Sequence, residues 1–249
     1  MIRLLIASLL AMLAAPLAAH SESRATGVGF DLTATGGIRF LADAGLYEAS
    51  GEVQLVVGDW VVLADRVVAA LDTAQDQVAS LTAEGTVFVQ NDTFKARADS
   101  LDLRFADTLV SLKGTPVSVQ MGGEQRFVSI GSLRYSVTGG ILTIPQDFVM
   151  QVSGATIAGG QARLKLSDGS LQALDVTGGV EVQRGDFRAA AEALNYAPGV
   201  GTLLLEGAVV LQSGEVLLSG ASASFDLDTG AVQISNDSNQ RIFGALSDQ

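Results

Sequence analysis

Side chains that ordinarily do chemistry are scarce in this 249-residue chain. There is no cysteine and a single histidine, His20. Thiolate metal sites, disulfides and a cysteine nucleophile are thereby excluded, and a Ser-His-Asp triad or a His-ligated zinc lacks its essential residues. Carboxylates remain. They recur as Asp99 with Asp102, Asp226 with Asp228, and Asp65 near Asp72, and paired carboxylates suit acid–base work or calcium. Their surroundings favour a plainer role. Each stands at or beside an expected turn, where aspartate bonds back to nearby backbone, and no spacing matches an EF-hand loop. Gly27-Val28-Gly29 and Gly199-Val200-Gly201 lack the third glycine and the following helix of a dinucleotide site, and neither a phosphate-binding loop nor a nucleophile elbow occurs. Asn91-Asp92-Thr93 has the form of a glycosylation sequon, a short pattern that by itself assigns no function. No catalytic residue, metal site or cofactor is expected.

The bulk composition points the same way. With 48% hydrophobic and 17% charged residues, the chain is too apolar for disorder and can bury a substantial core. A net charge of -12 argues against a nucleic-acid partner, since phosphate neutralisation needs clustered Lys and Arg. Arg126, Arg134, Arg163 and Lys165 form the only loose basic concentration in the middle of the chain. Their expected place is outward, on alternate strand positions. The N-terminus reads as an export signal: Arg3, then the apolar run Leu4 to Leu13, then Pro16 before small residues. Cleavage after Ala19 or Ser21 would start the mature chain at His20 or Glu22. The rival reading is an uncleaved inner-membrane anchor. The run Leu4 to Ala19, however, is short of the ~20 residues a bilayer-spanning helix needs and carries a proline near its end, so the mature protein is expected to be exported and soluble.

What remains must be positioned by strands. Short alternating or β-branched runs such as Val53-Gln54-Leu55-Val56-Val57, Thr86-Val87-Phe88-Val89 and Leu101-Asp102-Leu103-Arg104-Phe105 are cut by Gly, Asp, Asn and Ser. Two signatures recur. One is a glycine leading an alternating run, at Gly51, Gly85, Gly114, Gly179 and Gly207; the other is a small residue leading a strand, at Ala64, Ala98, Gly131, Gly160, Ala191 and Gly220. The second recurs about every 30 residues, the mark of stacked supersecondary units. The alanine-rich stretch Phe187 to Leu194 is the best helix candidate, but it falls in register with Ala98 to Leu103 and is read as strand. Each unit is read as a strand, a tight turn and a return strand. A lone hairpin cannot bury its apolar face, so the units must stack, and seven or so at ~4.8 Å reach roughly 35 Å.

The stretch Ala191-Glu192-Ala193-Leu194-Asn195-Tyr196, then Leu203 to Leu211, Leu217-Leu218-Ser219-Gly220 and Phe225-Asp226-Leu227 resembles the OstA-like (organic-solvent-tolerance) family of LptA-type periplasmic lipopolysaccharide-transport proteins. The register extends back through Leu81 to Phe105 and, less cleanly, through Ile130 to Leu166; Pro145 to Gly154 departs from it. The resemblance implies an all-β fold of stacked antiparallel strand repeats, a β-jellyroll or β-taco with an apolar inner groove. It further implies that lipid A acyl chains of lipopolysaccharide occupy the groove in the periplasm. Inner- and outer-membrane transport proteins of the same fold would join by edge-strand addition, with head-to-tail self-association. The boundaries expected are a signal peptide over 1–21, an N-terminal segment over 22–36, the repeats over 37–235 and a polar tail over 236–249.

Alternation supplies the groove candidates: Val87, Val89, Leu101, Leu103, Phe105, Val117, Val119, Leu133, Tyr135, Phe148, Met150, Val180, Val182, Leu194, Tyr196, Val209, Leu211 and Phe225. Trp60 is expected as core. The terminal edges of the stack are expected at Ile38 and Phe40 and at Val232 and Ile234. Two other classes are weighed beside lipid transport. A structural or adhesive β-repeat protein would fill its interior with its own side chains; a polysaccharide-processing β-helix enzyme would need a catalytic cleft, and no such constellation stands out.

Overall fold

The computed structural model describes residues 22–72, 77–122, 125–227, 229–236 and 243–246; the expected leader lies outside them. Strands dominate: β1 (Ser23–Gly27), β2 (Phe30–Ala34), β3 (Gly37–Leu41), β4 (Leu46–Val57), β5 (Trp60–Asp72), β6 (Gln77–Gln90), β7 (Phe94–Arg104), β8 (Leu109–Met121), β9 (Gln125–Ser136), β10 (Ile141–Ile144), β11 (Phe148–Val152), β12 (Ala155–Ser167), β13 (Ser170–Arg184), β14 (Phe187–Ala197), β15 (Thr202–Ser213), β16 (Val216–Asp226), β17 (Val232–Ser235) and β18 (Phe243–Leu246). One 3-10 turn, Ala42–Ala44, joins β3 to β4. The strands form one antiparallel ladder in which most pair with their sequence neighbours. Each repeat unit is a pair of strands, so the ladder runs about twice the length expected from one ~4.8 Å step per unit.

Nearly every long strand carries a register shift near its middle: between Ser50 and Val53, Glu84 and Val87, Arg97 and Ser100, Gly114 and Val117, Thr177 and Val180, and Glu206 and Val209, among others. A bulge bends its strand, and a row of bulges bends the whole ladder. The consequence is visible in the aromatic residues. Phe94 opens β7 and Tyr135 closes β9, so on a flat sheet ~10 residues of strand, roughly 30 Å, would separate them. Their ring centroids are 5.4 Å apart. The ladder is therefore folded along its bulge row into two leaves that face each other. The bulge row is the spine, and the hairpin turns form two lips. The first lip includes Gly58-Asp59, Asn91 to Thr93, Ser153-Gly154, Gly185-Asp186 and Gly214-Glu215; the second includes Asp107-Thr108, Thr138 to Gly140, Asp168-Gly169 and Pro198 to Gly201.

The recurring glycines belong to the spine. They do not lead strands, as the sequence suggested, but sit within them at the bend. Gly85 shows why glycine is needed: its φ is +96°, and a Cβ there would stand 2.1 Å from Asp65 Oδ2. The stretch Phe187–Ala197 is strand, as the repeat register required. The irregularity at Pro145 is a broken rung, in which β10 and β11 together replace one long strand between β9 and β12.

The ladder also exceeds the boundaries expected for it. Residues 22–36 are not a separate segment, because β1 and β2 extend the first leaf beyond β4. The polar tail is not wholly outside either, since β18 pairs with the first-leaf half of β16. Among the described residues four strands thus stand at edges: β1 and β18 in the first leaf, β3 and β17 in the second.

Candidate functional site

Alternation along each strand turns one face of both leaves inward, and those faces meet. From the first leaf come Val87, Val89, Val117, Val119, Phe148, Met150, Val180, Val182, Val209 and Leu211; from the second, Leu101, Leu103, Leu133, Tyr135, Leu194, Tyr196 and Phe225, all buried. Phe105 lies at the second lip and is only partly buried. Phe94, Met121, Phe127, Leu112, Leu142 and Ile144 are equally buried on the same inner faces. They were not singled out from the sequence, although the same alternation marks them. Trp60 is buried at the start of β5, 6.0 Å from the Phe94 ring.

The slot is shut in this state. Val89, Met150 and Val209 expose 0% of their surface, so the two inner faces pack directly on each other. The closure follows a seam between the lips. Phe94 stacks on Tyr135 at an interplanar angle of 12°, and Phe187 on Phe225 at 7° with 4.1 Å between centroids; Phe30 lies 5.4 Å from Tyr47. Each pair joins the first lip to the second. Burial pushes the Tyr135 hydroxyl pKa up, which keeps it neutral within the seam. Between the aromatic pairs, Ser153 Oγ and the Tyr196 hydroxyl are 3.4 Å apart, and the Arg184 guanidinium donates to the Leu227 carbonyl. A Cβ on Gly122 would meet the Gly169 carbonyl oxygen at 2.6 Å, so the lips touch there through backbone.

The carboxylates do not converge. Asp65 Oδ2 accepts a hydrogen bond from the Thr86 amide at 3.0 Å, and Asp99 Oδ2 one from the Thr115 amide at 3.1 Å. Both serve amides beside the spine bulges. Asp102 stands outward on β7, while Asp226 Oδ1 accepts from the Thr229 amide at 2.7 Å and closes a turn. Asp228 lies outside the described residues. Among the described residues, no three His, Cys, Asp or Glu side chains are grouped to hold a metal ion. The basic concentration is divided: Arg126 is on the outer face of the first leaf, whereas Arg134 and Arg163 flank Thr143 on the second. Arg126, Arg134, Arg163 and Lys165 are all exposed.

At the edges, Phe40 is 48% exposed and lies 4.6 Å from the Tyr47 ring, and Val232 is exposed. Ile38 and Ile234 are partly buried against the core. No helix among the described residues is long and apolar enough to cross a membrane.

Residues 43–137 match the family described as LptA/(LptD N-terminal domain) LPS transport protein. Comparison with curated proteins gives no match. Among solved structures, the chain is similar to LptH of Pseudomonas aeruginosa, the LptA-homologous periplasmic component of its lipopolysaccharide transport device. That similarity has 12% identity and a TM-score of 0.23, over 76% of this chain and 95% of that one. The matched stretch holds β4 to β9 and their share of the spine, so the similarity to the LptA/LptD N-terminal domain lies in that part of the ladder.

Proposed function

We propose that the protein is an exported, periplasmic carrier that holds the acyl chains of lipopolysaccharide between its two leaves and passes them along the ladder towards the outer membrane. The observation carrying this reading is the inner face itself: continuous, apolar, and closed by a seam of non-covalent contacts. Each acyl CH₂ kept from water contributes about 0.8 kcal/mol, and leaf-to-leaf packing supplies burial of the same kind. Exchanging one for the other is therefore close to balanced, which suits a carrier that must load and release. Parting the lips while the spine holds gives the chains a way in. Edge strands β3 and β17 leave backbone groups open for strand addition to neighbouring transport proteins of this fold or to further copies, head to tail.

A structural β-repeat protein with a self-filled core is the second reading, favoured by the complete burial of the interior. Native mass spectrometry of protein purified from its own envelope separates the two. A retained lipopolysaccharide mass supports the carrier. Protein that emerges lipid-free, and stays so when offered lipopolysaccharide, supports the self-filled repeat.

A further inference from the structure

The outer face of the first leaf carries, just behind its lip, a row of side chains unlike the protein as a whole. Following the pairing register, Lys95 stands beside Gln120, and Gln120 beside Arg126. Arg126 is next to Gln151, then Thr156, then Gln183, and Gln183 next to Arg188. Gln90 and Gln212 bound the row at either end. It crosses nine strands without a single carboxylate, in a chain of net charge -12. The neighbouring row towards the spine contains Glu181, and the outer face of the second leaf contains Asp102 and Asp175.

The cations in this row are also free of the ion pairs that hold some of the chain's other arginines. Arg24, Arg39, Arg66 and Arg104 are each bridged to a carboxylate. Among the described residues, Lys95, Arg126 and Arg188 form no ion pair. Arg126 borders a depression of about 530 Å³ lined also by Gln151, Ser153, Gly154 and Thr156. Neighbouring first-lip turns carry Asp92, Asp186 and Glu215, whereas the Ser153-Gly154 turn carries no acid. The same turn reaches the seam, where Ser153 meets Tyr196.

We propose that this row, centred on the Arg126 depression, binds the phosphorylated saccharide head group of the lipid whose acyl chains enter between the leaves. The inference rests on the carrier reading and adds the side from which the lipid is held. A guanidinium matches phosphate bidentately, and carboxamides both donate to and accept from sugar hydroxyls. At ~4.8 Å per strand, Lys95 and Arg188 stand roughly 30 Å apart, so an extended anionic oligosaccharide meets successive cations and amides along the lip. The overall negative charge repels a polyanion at long range, which makes a local stretch free of carboxylates necessary.

The test compares wild type, Arg126→Gln/Arg188→Gln, and a second-leaf control, Arg134→Gln/Arg163→Gln. All four positions are exposed, and circular dichroism checks that each variant is folded. Binding is measured to purified lipopolysaccharide, to its enzymatically dephosphorylated form, and to phosphatidylglycerol vesicles. The first double variant is expected to lose about tenfold in affinity for phosphorylated lipopolysaccharide, with a shallower salt dependence, and to bind the dephosphorylated form like wild type. The control should keep wild-type affinity. Unchanged binding by the first variant, or an equal loss in the control, overturns the head-group site while leaving the carrier standing. Loss of vesicle binding with lipopolysaccharide binding intact also overturns it, in favour of a membrane-facing surface. A wild type that binds neither form of lipopolysaccharide overturns the carrier reading and this site with it.

Discussion

Leu103 illustrates what an inward position costs to change. It exposes 1% of its surface and belongs to the buried apolar core, so Leu103→Asp places a carboxylate where it must neutralise or pull the leaves apart. A loss of several kcal/mol, on the order of 4, is expected in urea unfolding. Phe148→Asp should act likewise, since Phe148 is buried among the same inner side chains; a folded Phe148→Asp variant with full lipid binding would remove that residue from the slot. The spine residues test a different cost. Gly85→Ala meets both a positive φ and the Asp65 carboxylate, and about 1–3 kcal/mol of destabilisation is expected. Asp99→Ala removes the acceptor of the Thr115 amide; its exposed setting limits the loss to about 1 kcal/mol.

At the scale of elements, the N-terminal edges are pinned by exposed ion pairs. Arg24 joins β1 to Asp31 on β2, and Arg39 joins β3 to Glu48 on β4. Hydrogen bonds from these arginines hold both carboxyl pKa values below the ordinary carboxylate range. A carboxyl whose folded pKa is lowered contributes stability above its unfolded value and loses it as pH falls through the folded one. Hydrogen exchange, corrected for intrinsic rates, should therefore speed up in β1 and β3 as pH drops through the acidic range, while β6 to β8 stay protected. Insensitivity of β1 and β3 would show that the pairs contribute nothing to holding the edges. Proline at Ile38 should weaken head-to-tail association by removing a donor from an edge strand while the remaining ladder stays folded. Light scattering together with crosslinking to envelope partners reads this directly, and equal association of wild type and Ile38→Pro excludes β3 as the joining edge.

The whole molecule behaves as a folded ladder whose spine is covalently continuous and whose seam is not. Parting the lips breaks only non-covalent contacts, and it is the opening that the carrier reading requires. Phe187 and Phe225 face each other across the seam, and because the chain has no cysteine, Phe187→Cys/Phe225→Cys can be joined selectively by a cleavable bis-thiol reagent. Joining is expected to reduce lipopolysaccharide uptake at least about tenfold, as the leaves can no longer separate by the width of an acyl chain, and cleaving the reagent should restore it. Full uptake by the joined protein would place the way in elsewhere.

Side-chain alternation is local, and it was legible from the residues alone. A period of two assigns Val87, Val89, Leu101 and Leu103 to one face wherever the strands lie, and the same reasoning resolved Phe187 to Leu194 as strand. The recurrence of small residues every 30 or so positions likewise marked stacked units before any contact was known. Whether those glycines start strands or bend them was not legible, because a positive φ serves a turn and a bulge equally well; neighbouring strands had to supply the opposing register. The same holds for the extra edge strands β1 and β18, whose short segments become strands by pairing rather than by pattern. Phe94 against Tyr135, and the acid-free row from Lys95 to Arg188, join residues far apart in the chain. Pairing register and folding at the spine bring them together, and only the tertiary structure decides both.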